Sequence, residues 1–285
     1  MPAATQGTAA ELGGFAPASF SMRRSYDRYY ATGLYASRYP TPNPHVLELI
    51  LSELGPAGGS ILDFGCGSGR YALPLAMEPG ISVFGYDISS AAIQDLARRS
   101  QRLAEAAETR MQLDLLCGSL DELDRRLADH AGFDIVMMLF GVLGHIAGRD
   151  RRVALLRSLG SRLRRGGRLI VTVPNRLRRF RAEQAAAREL VAPASLEPGD
   201  IRYQRRGTGD PIELFYHLYS AAEFRSELAE AGFAVRRICP ESVLPERAVI
   251  SSALGSAIDS VLRVATPLSL AYGFVAIADT SDSSA

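Results

Sequence analysis

The stretch Ile61-Leu62-Asp63-Phe64-Gly65-Cys66-Gly67-Ser68-Gly69 constrains this chain more than any other part of it. It predicts a short buried strand running into a glycine-rich turn. Glycines at alternate positions remove side chains where the backbone must bend sharply and lie close to a ligand. Residues 70–77 read as helix, so the turn also presents the free amides of a helix N-terminus. Asp63 stands just before the glycines, and Asp87 ends the next apolar run. Two acids so placed suit a ligand with a cationic amino-acid end and a ribose. They suit a pyrophosphate poorly. The G-x-G-x-G spacing also brings Gly69 one residue too early for the dinucleotide fingerprint G-x-G-x-x-G, which argues against a nicotinamide-dependent oxidoreductase.

Around this turn, strand and helix alternate. A tyrosine- and arginine-rich segment, 21–39, leads into a helix over 44–54 that stops before Gly55-Pro56. Strands are predicted at 60–65, 81–86, 111–117, 133–140 and 169–173. Helices fall between them at 70–77, 89–103, 120–128 and 151–163, with Ser89 and Ser90 as caps and Gly166-Gly167 as the stop. The long apolar run 133–140 fits a strand buried on both faces. The economical fold is a doubly wound, seven-stranded Rossmann-like α/β sheet with a ligand crevice at the strand C-termini. The rhythm then changes. Residues 175–191 read as helix, 200–217 as extended segments, 221–231 as helix, 233–239 and 268–278 as strands, and 246–264 as a helical insertion.

At 285 residues, 47% apolar and with a net charge of +1, the chain can bury a full core, and its charge alone implies neither a nucleic-acid nor a membrane partner. No apolar run approaches the roughly 18 residues of a membrane span. Three scattered cysteines, Cys66, Cys117 and Cys239, have no metal-ligand spacing, so no metal is expected and a reducing cytoplasm is. Residues 1–20 and 280–285 read as flexible tails, not as a signal peptide, leaving one domain over 21–279.

The order of elements and four motifs resemble the class I S-adenosylmethionine-dependent methyltransferases over residues 22–279. The motifs are the glycine turn, Gly85-Tyr86-Asp87-Ile88-Ser89, Phe133-Asp134-Ile135-Val136, and Leu163-Arg164-Arg165-Gly166-Gly167-Arg168-Leu169-Ile170. The resemblance implies a mostly parallel sheet closed by a C-terminal antiparallel hairpin, and S-adenosyl-L-methionine as cofactor. It implies that Gly65, Cys66, Gly67 and Gly69 lie under the methionine part and that Asp63 orients its amino end. Asp87 would accept both ribose hydroxyls, as a carboxylate can, and Ile88, Leu120 and Phe140 would pack on the cofactor. Many relatives end the third strand in Gly-Asp. Here Gly118-Ser119-Leu120 leaves Ser119 as the candidate for the adenine edge, with Asp114 a weaker one. The segment 21–43 would be a lid, with Tyr26 or Tyr30 over the sulfonium and Arg38 on the methionyl carboxylate.

Displacement at a methyl carbon activated by positive sulfur requires alignment of the nucleophile and, where that nucleophile is protonated, a base. His145, in the loop after the fourth strand, has the right intrinsic pKa for a base. His217 and Tyr219 would border the acceptor, beneath insertions at 175–217 and 246–264. These insertions suggest a pocket for a small-molecule acceptor methylated on O or N. Residues 149–181 hold twelve arginines and one acid, Asp150, which admits a tRNA partner. Short segments such as Ser37-Arg38-Tyr39-Pro40 also look like the tRNA wobble-uridine methyltransferases. A non-catalytic, cofactor-binding regulatory protein is the third reading.

Overall fold

A computed structural model describes residues 22–108, 110–189, 196–206 and 209–281. The expected tails lie outside these residues, apart from Thr280 and Ser281. The chain enters through α1 (Met22–Ala31), α2 (Leu34–Arg38) and α3 (Pro44–Leu54). Strand and helix then alternate: β1 (Gly59–Phe64), α4 (Ala72–Met77), β2 (Ile81–Asp87), α5 (Ser90–Ala107), β3 (Leu113–Cys117), α6 (Leu120–Arg126), β4 (Phe133–Met138), α7 (Arg149–Gly160) and β5 (Leu163–Pro174). Next come α8 (Arg181–Glu189), a hairpin of β6 (Asp200–Arg205) and β7 (Ile212–His217), and α9 (Ala221–Glu230). The chain closes with β8 (Phe233–Ser242), α10 (Glu246–Ser251), α11 (Ala253–Ala265) and β9 (Gly273–Thr280).

The main sheet has the order β3-β2-β1-β4-β5-β9-β8. The first five strands are parallel, and β9 runs antiparallel between β5 and β8. Because successive residues of a strand face opposite sides, the sheet carries two cores. Ile61, Ile135, Ile170 and Ile277 pack on one face, and Leu62, Val136, Leu169 and Ala278 on the other. β1 is followed by β2 on one side and has β4 on the other, so the strand order reverses between β1 and β4. A ligand crevice opens at such a switch point, beyond the strand C-termini.

Several element boundaries differ from expectation. The Gly166-Gly167 pair does not stop a helix; α7 already ends at Gly160, and the pair lies inside β5. Gly166 takes φ +77, and a side chain on Gly167 would strike the Phe133 carbonyl. Here β5 swerves past the start of β4, where the pairing register shifts. β4 ends at Met138, and Phe140 takes φ +57 rather than continuing the strand. The helix expected over 175–191 begins only at Arg181, because Asn175 spends its side chain on the preceding loop: its amide accepts from Leu177 N–H and donates to Ala271 O. The insertion expected over 246–264 is helical but broken at Ser252, whose hydroxyl caps α11 by accepting from Gly255 N–H.

A third apolar cluster joins the N-terminal helices to the β6–β7 hairpin through Tyr29, Tyr35, Tyr39, Tyr203, Leu214 and Tyr216. Through this cluster the helices of residues 22–39, the expected lid, pack on the hairpin, and Tyr30 reaches the glycine turn with its hydroxyl over Gly67. A buried ionic network braces the hairpin from the far side. Arg152, fully buried on α7, donates to both carboxylate oxygens of Glu227 on α9, to Glu197, and to Ile146 O. The Tyr219 hydroxyl donates to Glu227 as well. Removing one member of a buried ion pair leaves the other charge unpaired. Arg152→Ala should therefore lower the unfolding free energy by about 3–5 kcal/mol, and Arg152→Met/Glu227→Met by clearly less. Urea denaturation of both variants checks this; equal losses would show that the charge pairing is not what Arg152 contributes.

Candidate active site

The glycine turn is held by its neighbouring strand. Gly65 N–H and Cys66 N–H both donate to Tyr86 O at the end of β2, at 2.7 and 3.0 Å. Gly67 N–H donates to Asp87 Oδ2 at 2.9 Å, and Ser89 N–H to Asp87 Oδ1 at 2.8 Å. Gly65, Gly67 and Gly69 all have positive φ, a conformation that favours glycine. Added side chains would also collide, with Val142 at Gly65, the Tyr30 hydroxyl at Gly67 and Leu96 at Gly69.

Asp63 and Asp87 are both buried beside this turn. Burial, together with the charge of Asp87, pushes the Asp63 carboxyl up to about 8. Burial also raises Asp87, to about 6, while the amides of Ser89 and Gly67 pull it down and Asp27 pushes it up. Two buried carboxyls held above their usual range are the complement of a ligand that brings a positive charge and hydroxyl donors. The donor set therefore fits an aminoacyl group at Asp63 and a ribose at Asp87. Ile88 and Leu120 are half-buried against one core and frame the end of β2 and β3. Cys66 is buried, and burial raises its thiol pKa, so it packs rather than reacts.

Ser119 serves first as a helix cap. Its Oγ accepts from Glu122 N–H, and Glu122 returns the bond to Ser119 N–H, a capping box at the start of α6. The Ser119 side chain also hydrogen-bonds the Glu122 carboxylate, which helps hold that acid's pKa down, so the capping box occupies the group expected at an adenine edge. Asp114 lies elsewhere. It is exposed and lines an open groove of about 550 Å³ with Ser82, Gln112 and His130, at the opposite edge of the sheet from the glycine turn.

The lid lies against the crevice. The Tyr30 ring packs on Tyr35 at 4.7 Å, with its hydroxyl over Gly67. Arg38 ends α2, half-buried, with its Nε closed to solvent and without a hydrogen-bond partner. The Tyr26 hydroxyl is 2.6 Å from His145 Nε2, and His145 Nδ1 is 2.7 Å from Phe215 O. A carbonyl only accepts, so Nδ1 carries the proton, Nε2 is the acceptor, and Tyr26 donates. His145 stacks on Tyr216 with ring centres 4.4 Å apart. Burial drives its pKa down to about 4; the Phe215 bond raises it, and Arg179 and Arg205 lower it further.

His217 and Tyr219, expected to border an acceptor, are fully buried in the ionic network instead. His217 Nδ1 lies 2.6 Å from Asp200 Oδ1, and Nε2 lies 3.2 Å from Glu223 Oε1. Burial opposes a charged ring there, but these carboxylates outweigh it and raise the His217 pKa. The acids around His217 also have metal-ligand spacing. The buried Arg152 guanidinium lies between Glu197 and Glu227 and pairs with both.

Two residues at the site carried no expectation. Asp27 on α1 accepts from Ser89 Oγ at 2.8 Å and from Ala91 N–H at 3.3 Å, which fastens the lid to the N-terminus of α5. Arg70, just past the glycines, is buried. It donates to Thr41 O and Glu246, and its guanidinium lies 4.5 Å from the Phe140 ring centre. The one signal for Arg70 in the sequence is a lone charge opening an otherwise apolar helix. The signal for Asp27 is an acid set among the lid tyrosines.

Residues 149–181 do not form one basic surface. β5 alone spans twelve residues, roughly 40 Å at the rise of a strand. Arg162 and Arg164 thus sit at one end of β5, and Arg176 to Arg181 follow the other. Arg149, Arg152, Arg162, Arg164, Arg168 and Arg176 are each paired with a carboxylate.

The switch-point crevice, the glycine turn and its two acids define a nucleotide-type cofactor site on a class I methyltransferase fold. Residues 35–238 match the family described as Methyltransferase domain, and the chain belongs to it. It is a class I S-adenosylmethionine-dependent methyltransferase, with S-adenosylmethionine as its cofactor. It is 28% identical over 141 residues to the tRNA (carboxymethyluridine(34)-5-O)-methyltransferase ALKBH8 of Macaca fascicularis, a match covering 50% of this chain and 18% of that protein. It is 31% identical over 135 residues to the Ubiquinone biosynthesis O-methyltransferase of Xanthomonas axonopodis pv. citri, covering 47% of this chain and 51% of that one. The chain thus matches about a fifth of the first relative's length and half of the second's. Among solved structures it superposes on the CcbJ methyltransferase from Streptomyces caelestis with a TM-score of 0.61 at 17% identity, covering 92% of this chain and 100% of that one. It also superposes on the magnesium protoporphyrin IX methyltransferase ChlM from Synechocystis PCC 6803 with bound SAM, with a TM-score of 0.54 at 17% identity, covering 92% and 99%. Among the described residues, no helix is long and apolar enough to cross a membrane.

With Nδ1 committed to Phe215 O and the pKa near 4, His145 should stay neutral from pH 5.5 upward. The Cε1–H resonance of His145 in a pH-titrated NMR series checks this; an inflection near 6.5 would contradict the closed Tyr26–His145–Phe215 chain.

Proposed function

We propose that this methyltransferase transfers the methyl group of S-adenosylmethionine to an oxygen or nitrogen of a small-molecule acceptor. The observation that carries this reading is what stands over the glycine turn. Tyrosines of residues 22–39 and of the β6–β7 hairpin gather in one apolar cluster, and Tyr30, packed against it, sets its hydroxyl over Gly67, so aromatic rings rather than a row of basic side chains stand over the turn. In this reading Asp63 holds the cofactor's amino group, Asp87 its ribose and Arg38 its carboxylate. Tyr26 and Tyr30 exclude water above the sulfonium. Bound there, the cofactor supplies a methyl group on a positive sulfur, and the acceptor need only be aligned in line with it.

His145 fits a positioning role better than the role of base. Its free lone pair already accepts from Tyr26, and a ring pushed to about 4 holds a proton weakly near neutral pH. It fixes the Tyr26 hydroxyl at the crevice mouth. A tRNA acceptor is the second reading, favoured by the 28% identity to a tRNA methyltransferase and disfavoured by the split of the basic residues between opposite ends of β5. Incubation with methyl-labelled cofactor, a metabolite extract and unfractionated tRNA separates the two. Label in the metabolite fraction is expected, and label in tRNA would overturn the small-molecule reading.

Cofactor binding should release a proton. Asp63 near 8 is largely protonated at pH 7 and must ionise to meet an ammonium group. The dissociation constant of S-adenosylhomocysteine should then fall about tenfold per pH unit between 6 and 8 and level off above 8. Calorimetry in buffers of different ionisation enthalpy reads this directly. Asp63→Asn should flatten the dependence, and Asp87→Ala should weaken binding about ten- to a hundredfold through lost charge-assisted bonds. A pH-independent affinity in the unmodified protein would remove Asp63 from the site.

A further inference from the structure

Two arginines beside the aromatic cluster stand apart from most others. Several other buried or half-buried arginines meet carboxylates, Arg152 with Glu227, Arg168 with Glu53 and Arg176 with Glu223, while Arg38, assigned above to the cofactor's carboxylate, has no ion pair among the described residues. Arg179 and Arg205 have no ion pair among the described residues, and the Nε of each is closed to solvent with no hydrogen-bond partner. Arg179 follows the C-terminal end of β5, and Arg205 ends β6 in the hairpin. They converge on one ring, with guanidinium carbons 5.2 and 5.8 Å from the Phe180 centre. Arg179 also lies 4.8 Å from Tyr272, and Arg205 4.7 Å from Tyr203. The charges of both reach His145 and Tyr216, so they face the chemistry described above.

Like charges gathered in a poorly solvated place cost free energy unless an anion joins them. The acid whose charge reaches Arg179 is Glu241, and burial and the neighbouring Glu246 push its carboxyl up, toward the neutral form that supplies no anion. Its own Oε1 is buried and unpartnered. The surrounding walls are aromatic: Phe180 and Tyr203 have ring centres 4.9 Å apart, and Tyr203 and Tyr216 6.0 Å apart. Flat faces with donors at their rim suit a planar ligand bearing an anionic group, which a guanidinium fork recognises.

We propose that the methyl acceptor is a planar small molecule carrying a carboxylate, and that Arg179 and Arg205 are the specificity-determining residues that hold it. This rests on the small-molecule reading and narrows its substrate class. A nucleic-acid phosphate fits less well, because both guanidiniums are half-buried and packed against aromatic rings rather than ranged along an open surface.

Calorimetry with saturating S-adenosylhomocysteine tests the proposal. The probes are 4-hydroxybenzoate, 3,4-dihydroxybenzoate and trans-cinnamate, each beside its primary amide. At least one acid should bind about tenfold or more tighter than its amide. Arg179→Gln and Arg205→Gln should each erase that preference while leaving S-adenosylhomocysteine affinity within about twofold, as expected of a site separate from the cofactor's. Equal binding of acids and amides, no binding by any acid, or a preference that survives both substitutions would overturn the proposal, and the comparison in the unmodified protein stands even if a variant misfolds. Displacement of a bound acid by unfractionated tRNA would overturn it in favour of a phosphate. Failure of S-adenosylhomocysteine itself to bind would instead strike the assignment of the cofactor site on which the proposal depends.

Discussion

The Asp87 carboxylate holds the site together. One oxygen accepts from Gly67 in the turn after β1, the other from Ser89 at the head of α5. Beside it, Tyr86 O takes two further turn amides. Backbone donors of a bare glycine loop would otherwise be free to relax toward water, at the cost any unpaired buried amide carries. Bonded to β2, the loop keeps its positive-φ shape before any ligand arrives. The same carboxylate has lone pairs left for hydroxyl donors, so one side chain both builds the floor and offers a contact on it. The arrangement also raises its neighbour: the Asp87 charge is part of why Asp63 holds its proton.

This explains why the cofactor class was legible in the sequence. Its determinants are local. Three glycines and an acid lie within one strand-turn unit, and the second acid ends the very next strand. The alternation of short apolar runs and amphipathic segments was enough to order the parallel strands, because each buried strand reads as a continuous apolar run. Boundaries were less legible where tertiary contacts decide them. Gly166-Gly167 has the composition of a helix stop, yet the strand it bends is shaped by the Phe133 carbonyl across the sheet. Phe140 reads as the last residue of a strand, but its N–H is claimed by Thr172 Oγ1 on β5, and the chain turns there.

The part of the molecule proposed to take the acceptor was less legible. His217 and Tyr219 have the residue types of a binding site, and nothing local distinguishes them from packing residues. Their partners, Asp200 and Glu227, come from 17 and 8 residues away in the chain and close a network with Arg152 that no spacing rule reveals. The arginine-rich stretch misleads for a related reason. Sequence proximity along a twelve-residue strand is separation in space, and half of those charges are matched by acids from other elements. Asp27 and Arg70 show the converse: single charges in apolar or aromatic surroundings that become fasteners once the lid is folded down.

The division between a local cofactor site and a non-local acceptor site follows from the chemistry. An activated methyl group imposes the same donor geometry whatever it is passed to, so the turn and its acids can remain a self-contained unit. The acceptor imposes no fixed catalytic group, and what it requires is a surface that aligns it. In the proposed reading that surface is assembled from residues 22–39, the loop after β5 and the β6–β7 hairpin, three segments outside the alternating strand–helix frame. His145 joins the two halves through Tyr26 on the lid and Phe215 on the hairpin. A change in that histidine would loosen the roof without touching the glycine turn, and so would separate alignment of the acceptor from retention of the donor.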